Sequence, residues 1–452
     1  MEMGKPRSVW VSSVSIRVYP WLITNFGINV FAPSDSQWMA QALRLAERGL
    51  YSTSPNPRVG CVLVRDGKSV GSGWHQRAGE PHAEVYALRE AGGAARGATA
   101  YVTLEPCSHH GRTPPCAEAL IEAGMARVVV AVQDPNPEVA GAGIARLRAA
   151  GIAVESGLME AEARELNVGF FARMTRGTPW LRSKIAMSLD GRTALGNGKS
   201  QWITGDAARQ DVQRWRARSC AVLTGINTVL ADDAQLNVRE IGGMIPAPRG
   251  GASNPPSPPT HPSPPLSGRE EGGASAPPLT RGGQEEGLRQ PLRVVLDSQL
   301  RIPLEARVLY GGGRTLVYTA LHDERKIGLL QDLGATVAVM PDGNGQVDLP
   351  AILRDLAQRG CNEVLVEAGS ILNGALLRAG LADELLLYIA PQLLGDAARS
   401  MAQLGELTSL EQRVGLKWQD MRQVGKDLRI SVKVEKANPP QSPLARGEAL
   451  LP

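Results

Sequence analysis

The chain reads P-H-A-E over residues 81–84 and T-L-E-P-C over residues 103–107, and Cys116 closes this stretch. One imidazole, from His82, and two thiols, from Cys107 and Cys116, can occupy three corners of a zinc tetrahedron. A fourth corner that stays open for water distinguishes a catalytic zinc site from a structural one, and zinc lowers the pKa of such a water toward neutrality. Glu84 lies two residues beyond His82, so its carboxylate can transfer protons without binding the metal.

This order of residues matches the zinc-deaminase pattern, H-x-E followed by P-C-x-x-C, with one departure. Residues 108–115 separate the two cysteines, where the pattern has only two residues. The alternative is a pair of buried cysteines and an unrelated surface histidine, but several independent features would then have to coincide. The stretch therefore predicts one Zn²⁺ per chain, held by His82, Cys107 and Cys116, with Glu84 as the catalytic residue.

The interrupted motif resembles the deaminase half of the bifunctional riboflavin-biosynthesis deaminase/reductase family, in which a loop similar to S-H-H-G-R-T-P-P precedes the second cysteine. The resemblance implies a cytidine-deaminase-like α/β/α sandwich over residues 34–157. It also implies a small pyrimidine substrate that carries a ribosyl phosphate. His109, His110 and Arg112 in the loop could contact one phosphate, and a solvated polar loop is the alternative.

Residues 34–157 also alternate between helical and strand patterns, which by itself predicts an α/β sandwich. Asp35 or Ser36 is expected to cap the first helix. Pro81 suits the first turn of the helix that carries the H-A-E motif. We expect the histidine and both cysteines of the zinc site at helix starts, because the positive end of a helix dipole stabilises thiolates.

The second half of the chain contains four further segments: K-I-A-M-S-L-D-G-R at 184–192, S-Q-W-I-T at 200–204, T-V-L-A-D-D at 228–233 and V-E-A-G-S-I-L-N-G-A-L-L at 366–377. The glycines of the last segment match neither a P-loop nor the dinucleotide motif G-x-G-x-x-G. A glycine turn that opens a helix can still bind phosphate through its free N–H groups, and an ordinary strand-to-helix turn is the alternative. Together the four segments resemble the reductase half of the same family, which implies a dihydrofolate-reductase-like α/β domain over residues 179–435 that uses NADPH. The two resemblances cover about residues 35–240 and 290–435.

The resemblance also implies the residues of the reductase site, taken position by position from the matching motifs. Those expected to face NADPH are Ala186, Trp202, Thr228, Asp232, Ser298, Gly369, Ser370, Ile371, Leu372, Asn373, Gly374 and Ala375. Those expected to face the substrate are Ser200, Arg216, Leu236, Arg239 and Glu367.

Three of these expected site residues are supported by their position in the sequence as well. Thr228, Ser298 and Glu367 follow predicted strands, and ligands in α/β proteins bind at the carboxyl ends of strands. Other interpretations stay open. Arg216 can be an exposed helix charge and Trp202 a core aromatic, and Lys184 can be either a proton donor or a solvated lysine at a strand end.

Composition excludes several classes of function. The 452 residues suffice for two or three domains, and the net charge of +4 comes without a block of five basic residues. We therefore expect no nucleic-acid partner. The apolar stretch 18–31 is broken by polar residues and is too short to span a membrane. Two of the five cysteines are assigned to zinc, so no disulfide framework is implied, which favours a cytoplasmic protein. We also expect a homo-oligomer.

Three segments have compositions unlike the rest of the chain. Residues 1–33 resemble nothing in the family and are expected to be a disordered extension. Residues 242–290 are rich in Pro, Gly and Ser and lack apolar periodicity, so they cannot bury a core. We expect a disordered insert there, with a proline-rich partner motif as the alternative, and a similar disordered tail over residues 436–452.

The predicted function is that of a bifunctional riboflavin-pathway enzyme. The resemblance implies zinc-dependent hydrolytic deamination of 2,5-diamino-6-(ribosylamino)pyrimidin-4-one 5′-phosphate, followed by NADPH-dependent reduction of the ribosyl to the ribityl side chain. Two alternatives differ in class. A tRNA or nucleoside deaminase with an unrelated C-terminal appendage would not oxidise NADPH, and a non-catalytic zinc-binding scaffold would turn over nothing.

Overall fold

The computed structural model describes residues 31–108, 115–241 and 289–435. Residues 1–30, most of the predicted insert and the predicted tail lie outside the described residues, as do His109, His110 and Arg112.

A five-stranded sheet with strand order β2-β1-β3-β4-β5 organises the N-terminal half. Its elements, in chain order, are α1 (Pro33–Glu47), β1 (Gly60–Arg65), β2 (Lys68–Trp74), α2 (Ala83–Ala91), β3 (Thr99–Val102), α3 (Cys116–Glu122), β4 (Arg127–Val130), α4 (Ala142–Ala149), β5 (Ala153–Ser156), α5 (Glu160–Leu166) and α6 (Val168–Arg176). Strands β2, β1 and β3 pair antiparallel, whereas β3, β4 and β5 pair parallel.

Both faces of this sheet are covered by helices, because apolar side chains point alternately to either side of each strand. Cys61 and Leu63 of β1 lie in one core with α2, α3 and α4. Val62 and Val64 lie in the opposite core with α1, α5 and α6. Helix α1 lies so close to β1 that a Cβ on Gly60 would come within 2.0 Å of the Ala42 carbonyl oxygen. The three-layer α/β/α sandwich is confirmed.

The first helix does not begin as predicted. Ala32 is the N-cap, and Asp35 sits inside the first turn, where its carboxylate accepts the backbone N–H of Ala32 at 2.8 Å. Asp35 also accepts hydrogen bonds from Tyr101 and Arg127. The predicted cap at Asp35 or Ser36 is therefore wrong, since this carboxylate caps the helix from its third position and fastens it to the sheet.

A nine-stranded sheet with order β11-β10-β9-β8-β12-β6-β13-β16-β15 organises the C-terminal half. The elements of this half, in chain order, are β6 (Trp180–Ser188), β7 (Arg192–Ala194), α7 (Asp206–Arg218), β8 (Ala221–Gly225), α8 (Ile226–Asp232), β9 (Leu292–Leu296), β10 (Thr315–Thr319), α9 (Glu324–Asp332), β11 (Thr336–Val339), α10 (Leu349–Gln358), β12 (Glu363–Val366), α11 (Ser370–Arg378), β13 (Glu384–Ala390), β14 (Arg399–Ser400), β15 (Leu416–Val424) and β16 (Asp427–Val434). Strands β7 and β14 pair with each other in a separate two-stranded sheet. The strands from β11 to β13 run parallel, and β16 and β15 are antiparallel.

This parallel sheet brings the carboxyl ends of β9, β8, β12 and β6 side by side at one edge. Alternating residues of the central strands fill cores on both faces, as Leu365 does on one side and Val364 and Val366 do on the other. A parallel sheet covered on both faces is the expected form for α/β proteins. The α/β fold predicted for the second half is confirmed.

A buried ionic cluster links the two halves around Glu363, the first residue of β12. Its carboxylate binds Arg58 at 2.8 Å, Arg182 at 3.1 Å and Arg218 at 2.7 Å. Burial by itself would raise the pKa of Glu363, but the three guanidinium groups lower it well below its usual value. Arg58 belongs to the N-terminal half, so breaking this pair would leave uncompensated charge inside the interface between the halves.

The interval between the two predicted domains is helical. Helices α5 and α6 occupy it, and Ala163, Phe170 and Phe171 pack against the first sheet. No helix in the described ranges has both the length and the apolar character needed to cross a bilayer.

Candidate active sites

The three predicted zinc ligands converge although they come from different elements. His82 is the N-cap of α2, Cys116 is the first residue of α3, and Cys107 lies in the loop after β3. The His82 Nδ1 atom lies 3.3 Å from Cys116 Sγ and 3.5 Å from Cys107 Sγ, and all three ligand atoms lie within 4.8 Å of one another. Ligand atoms on a zinc tetrahedron are about 3.5–4 Å apart, so the triad fits Zn²⁺.

The expectation that all three ligands begin helices is wrong for Cys107. Its sulfur instead accepts the backbone N–H of Cys116 at 3.3 Å, so the start of α3 still faces this thiol. The Cys116 thiol, with a smaller contribution from His82 and against the effect of burial, lowers the pKa of Cys107 to about 4. A thiol held as thiolate suits metal binding.

Glu84 lies in the first turn of α2 and is 3 % exposed. Its Oε2 atom has no hydrogen-bond partner among the described residues. Burial raises the pKa of this carboxyl to about 7. A buried carboxylate oxygen without a partner is costly unless a ligand satisfies it, so this oxygen beside the zinc triad is available to exchange a proton with a ligand.

Two further residues of this site were missed in the sequence. The ring of His75 lies edge-on to His82 with centroids 5.3 Å apart, and its Nδ1 lies 3.1 Å from the carbonyl oxygen of Pro81. That carbonyl can only accept, so Nδ1 carries the proton and Nε2 accepts from the Asn56 amide at 3.1 Å. Neither residue could be predicted from the sequence, because the two prolines that flank Asn56 indicate only a turn and His75 belongs to no motif.

The second site is a cavity of about 1340 Å³ at the carboxyl edge of the nine-stranded sheet. Fifteen of the predicted residues line it: Ala186, Ser200, Trp202, Arg216, Thr228, Asp232, Leu236, Arg239, Ser298, Glu367, Gly369, Ser370, Ile371, Leu372 and Ala375. Leu236 has its side chain in the core, at 1 % exposure, so only its backbone can reach a ligand. Trp202 is 67 % exposed, which rules out the core-aromatic alternative.

Asn373 and Gly374 do not line the cavity. Asn373 is buried and donates to the carbonyls of Ala368 and Met401. A Cβ on Gly374 would lie 2.1 Å from the Gln403 carbonyl oxygen. The two residues therefore face the opposite side of α11, where they hold the segment around residues 401–403 against the helix.

Glu367 and Arg216 form a paired unit in this cavity. Arg216 Nε donates to Glu367 Oε1 at 2.6 Å and Nη2 donates to Oε2 at 2.8 Å, while Nη1 donates to the Asn237 carbonyl. Burial would raise the pKa of Glu367, but Arg216 lowers it to about 2. Arg216 is thus not the exposed charge that was one alternative. Lys184 lines the same cavity, and burial lowers its pKa while Glu367 opposes the shift.

Comparisons with known proteins agree with this division into two sites. Residues 32–132 match the family model for the cytidine and deoxycytidylate deaminase zinc-binding region, and residues 179–430 match the RibD C-terminal domain. The riboflavin biosynthesis protein RibD of Escherichia coli K12 is 48 % identical over 87 % of this chain and 98 % of its own length. RibD of Haemophilus influenzae is 43 % identical over 89 % and 98 %.

Solved structures show the same likeness. RibD of Acinetobacter baumannii aligns with a TM-score of 0.75 at 44 % identity, covering 89 % of this chain and 99 % of that one. A diaminohydroxyphosphoribosylaminopyrimidine deaminase/5-amino-6-(5-phosphoribosylamino)uracil reductase of Thermotoga maritima aligns with a TM-score of 0.70 at 30 % identity, covering 88 % and 98 %.

Fold and sites together define a protein that joins a zinc deaminase to a reductase of the dihydrofolate-reductase-like type. The chain belongs to the RibD family of bifunctional riboflavin-biosynthesis enzymes. Its cofactors are Zn²⁺ and NADPH. Because the matches run through both halves, neither a nucleic-acid deaminase with an unrelated appendage nor a non-catalytic scaffold is favoured.

Proposed function

We propose that the N-terminal site hydrolytically removes the exocyclic 2-amine of the diaminopyrimidinone ribosylamine 5′-phosphate, the substrate type named for the Thermotoga relative. His82, Cys107 and Cys116 would hold zinc, which supplies Lewis acidity and an activated water when bound. The observation that carries the proposal is Glu84, a buried carboxyl with a free oxygen beside this triad. At Oε2 it would take one proton from the attacking water and pass it to the ring nitrogen, and would then take that water's second proton and pass it to the amine, which leaves as ammonia.

The side chains of His75 and Asn56 form a polar wall beside His82. Their mutual hydrogen bond and the bond from His75 to Pro81 fix the orientation of the imidazole. A wall oriented in this way would hold the polar edge of a pyrimidine in one pose, which proximity-based catalysis requires. We assign Asn56 to substrate binding and His75 to holding the Asn56 amide in place.

In the C-terminal cavity, the residues on the β9, β8 and β12 side would bind NADPH, and Glu367 would bind the ribosyl unit of the substrate. The Arg216 fork keeps the Glu367 carboxylate ionised and fixed, so it can accept hydrogen bonds from sugar hydroxyls. Arg216 has most of its donors engaged, which makes Arg239 the better phosphate partner. The depressed pKa of Lys184 makes its ammonium a candidate proton donor during reduction.

The test supplies the diaminopyrimidinone ribosylamine phosphate to the purified full-length chain and follows ammonia and NADPH separately. We expect ammonia release without NADPH, and NADPH oxidation only after deamination or when the deaminated intermediate is supplied. Ammonia release without any NADPH oxidation on either compound would contradict the reductase assignment.

We further propose that the protein is a cytoplasmic homo-oligomer whose subunits meet at β15. This strand is the edge of the nine-stranded sheet, with Trp418 70 % and Met421 62 % exposed. Apolar side chains on an unpaired edge favour association. All five thiols are free, in keeping with a reducing compartment.

Light scattering during size exclusion tests the association. We expect a multimer for the native chain and a shift toward monomer for Trp418→Asp. Leu329→Asp, which alters an exposed leucine on α9, should leave the mass unchanged. A native chain that elutes as a monomer at high concentration would contradict the proposal.

A further inference from the structure

The turn after β9 presents one arginine, Arg301, to the ligand cavity. Arg301 lines the large cavity, and in the described ranges no carboxylate forms an ion pair with it. Its Nη2 donates to the amide oxygen of Asn227 at 2.9 Å, which neutralises no charge. An unpaired guanidinium in a ligand cavity is suited to an anion, above all a phosphate that it can contact through two N–H groups.

This turn is built to hold its outward side chains in place. Asp297 accepts the backbone N–H of Ile302 at 2.8 Å and that of Leu300 through its carbonyl at 3.1 Å. Leu300 adopts a left-handed conformation with φ of 48° and is buried together with Ile302. Leu300 and Ile302 point into the core and anchor the turn. Ser298 and Arg301 are therefore held in fixed positions at the cavity.

Neighbouring contacts fix the turn from both sides. Ser298 Oγ accepts the backbone N–H of Val347 at 3.2 Å, and Gln299 Nε2 donates to the Gly345 carbonyl. On the other side, Asn227 is fixed in the first turn of α8, one residue before Thr228. Arg301 therefore lies between Ser298 and Thr228, two residues assigned to NADPH.

The order of strands places this arginine at the far end of the cofactor. From Ala186 on β6, the cavity crosses β12 and β8 to reach β9, three strand spacings or roughly 14 Å. Glu367 and Lys184 mark the reacting end at β12 and β6. A dinucleotide with its nicotinamide at that end would place its diphosphate near the N–H groups that open α11, and its adenosine ribose near β9.

Other unpaired arginines of the cavity lie elsewhere. Arg239 lies near Glu367 and Arg216, at the substrate end. Arg399 lies beside Gly198, next to the segment that leads from β7 to Trp202. Arg307, in contrast, contacts Asp233. Only Arg301, within the described part of the cavity wall, combines an unpaired charge with a place at the adenosine end.

We infer that Arg301 binds the 2′-phosphate of NADPH and so makes the reductase select NADPH over NADH. The inference rests on the proposed function, since it takes the cavity to bind a nicotinamide dinucleotide. It assigns no chemical step to Arg301, which would act as a specificity determinant by pairing with a phosphate monoester that NADH lacks.

Calorimetric binding of two fragments to the full-length chain tests this directly, without turnover. Adenosine 2′,5′-bisphosphate and adenosine 5′-phosphate differ only in the 2′-phosphate. We expect the native chain to bind the bisphosphate at least about tenfold more tightly, because a charged hydrogen-bonded pair contributes roughly 1.4 kcal/mol or more. Arg301→Gln should abolish this ratio by weakening the bisphosphate alone, and Arg301→Lys should keep part of it.

Arg399→Gln is the matched control, since it removes the same charge from the other end of the cavity and should leave the ratio intact. Equal melting temperatures of the variants check that each is folded. A ratio that survives Arg301→Gln, or that disappears in Arg399→Gln instead, would overturn the inference. NADPH oxidation by the native chain separates this failure from a failure of the proposed function, which predicts oxidation whichever residue binds the 2′-phosphate.

Discussion

The two sites of this protein are assembled in opposite ways. The zinc site draws His82, Glu84, Cys107 and Cys116 from one short stretch, in which two helix starts and one loop meet. The reductase cavity instead draws on segments that span residues 184–399, brought together only by the parallel sheet. A local site can be recognised from spacing, whereas a dispersed site depends on topology.

The difference extends to electrostatics. In the zinc site the key carboxyl, Glu84, makes no ion pair with Arg or Lys among the described residues, and burial raises its pKa to about 7 against the opposing charge of His82. In the reductase cavity the key carboxyl, Glu367, is clamped by Arg216 and its pKa is lowered to about 2. The first carboxyl is suited to exchange protons near neutral pH, and the second to remain an ionised hydrogen-bond acceptor.

The largest effect is expected from removing a zinc ligand. Cys107→Ser replaces a thiolate with a hydroxyl that binds zinc poorly, so the protein should lose its zinc and all measurable deamination. Metal analysis and ammonia release measure the two losses. Cys220→Ser, at a buried thiol outside the triad, should keep one zinc per chain. Full zinc content in Cys107→Ser would remove the basis of the site.

The next largest effect separates proton transfer from metal binding. Glu84→Gln should lower the rate of ammonia release on the order of a hundredfold or more, because it removes a general acid and base. The variant should retain zinc and should still reduce supplied deaminated intermediate. Glu47→Gln, on an exposed position of α1, is the control. Loss of reduction in a folded, zinc-loaded Glu84→Gln protein would mean that the two sites are not independent.

A smaller effect is expected at the other carboxyl. Glu367→Gln keeps the shape of the side chain but loses its charge, so substrate hydrogen bonds weaken by about 1–3 kcal/mol. Reduction of the deaminated intermediate should fall roughly tenfold to a hundredfold while ammonia release stays at the native rate. Glu324→Gln on the surface of α9 controls for loss of charge. Equal impairment of both activities would contradict the separation seen between the sites.

Sequence reasoning succeeded where a site or element is local. The H-A-E motif opens helix α2 as its pattern predicted, with His82 at the N-cap and Glu84 in the first turn. The zinc ligands follow from the order of His, Glu and the two cysteines within one short stretch. The sequence did not identify His75 and Asn56, because single polar residues form no recognisable pattern. They lie near His82 only because separate segments of the chain come close together in the fold.

The reductase residues show that neighbours in one sequence motif need not face the same side in the fold. The segment from Gly369 to Ala375 was taken as one cofactor-facing turn, yet it continues as a helix with 3.6 residues per turn. Ser370, Ile371 and Ala375 face the cavity as a result, while Asn373 and Gly374 face the protein. The Arg216–Glu367 pair joins residues on different elements, so only the folded sheet reveals that Arg216 has little capacity left for a phosphate.

The smallest effect is expected from shortening the Pro, Gly and Ser-rich segment. Gln290, the last residue of that segment, binds both the backbone N–H and the carbonyl of Val238, at 2.9 and 2.8 Å. The chain thus leaves and re-enters the domain at neighbouring points, so a short linker can replace residues 243–286. Because loop length changes closure free energy only slowly, both activities and the affinity for NADPH should stay within about threefold of native values.

Gln290→Ala in the intact chain should lower the free energy of unfolding by about 1–2 kcal/mol, a larger loss than the deletion causes, since it unpairs two buried backbone groups. Loss of NADPH binding in the deletion, with Gln290→Ala unaffected, would place part of the cofactor site in the removed segment.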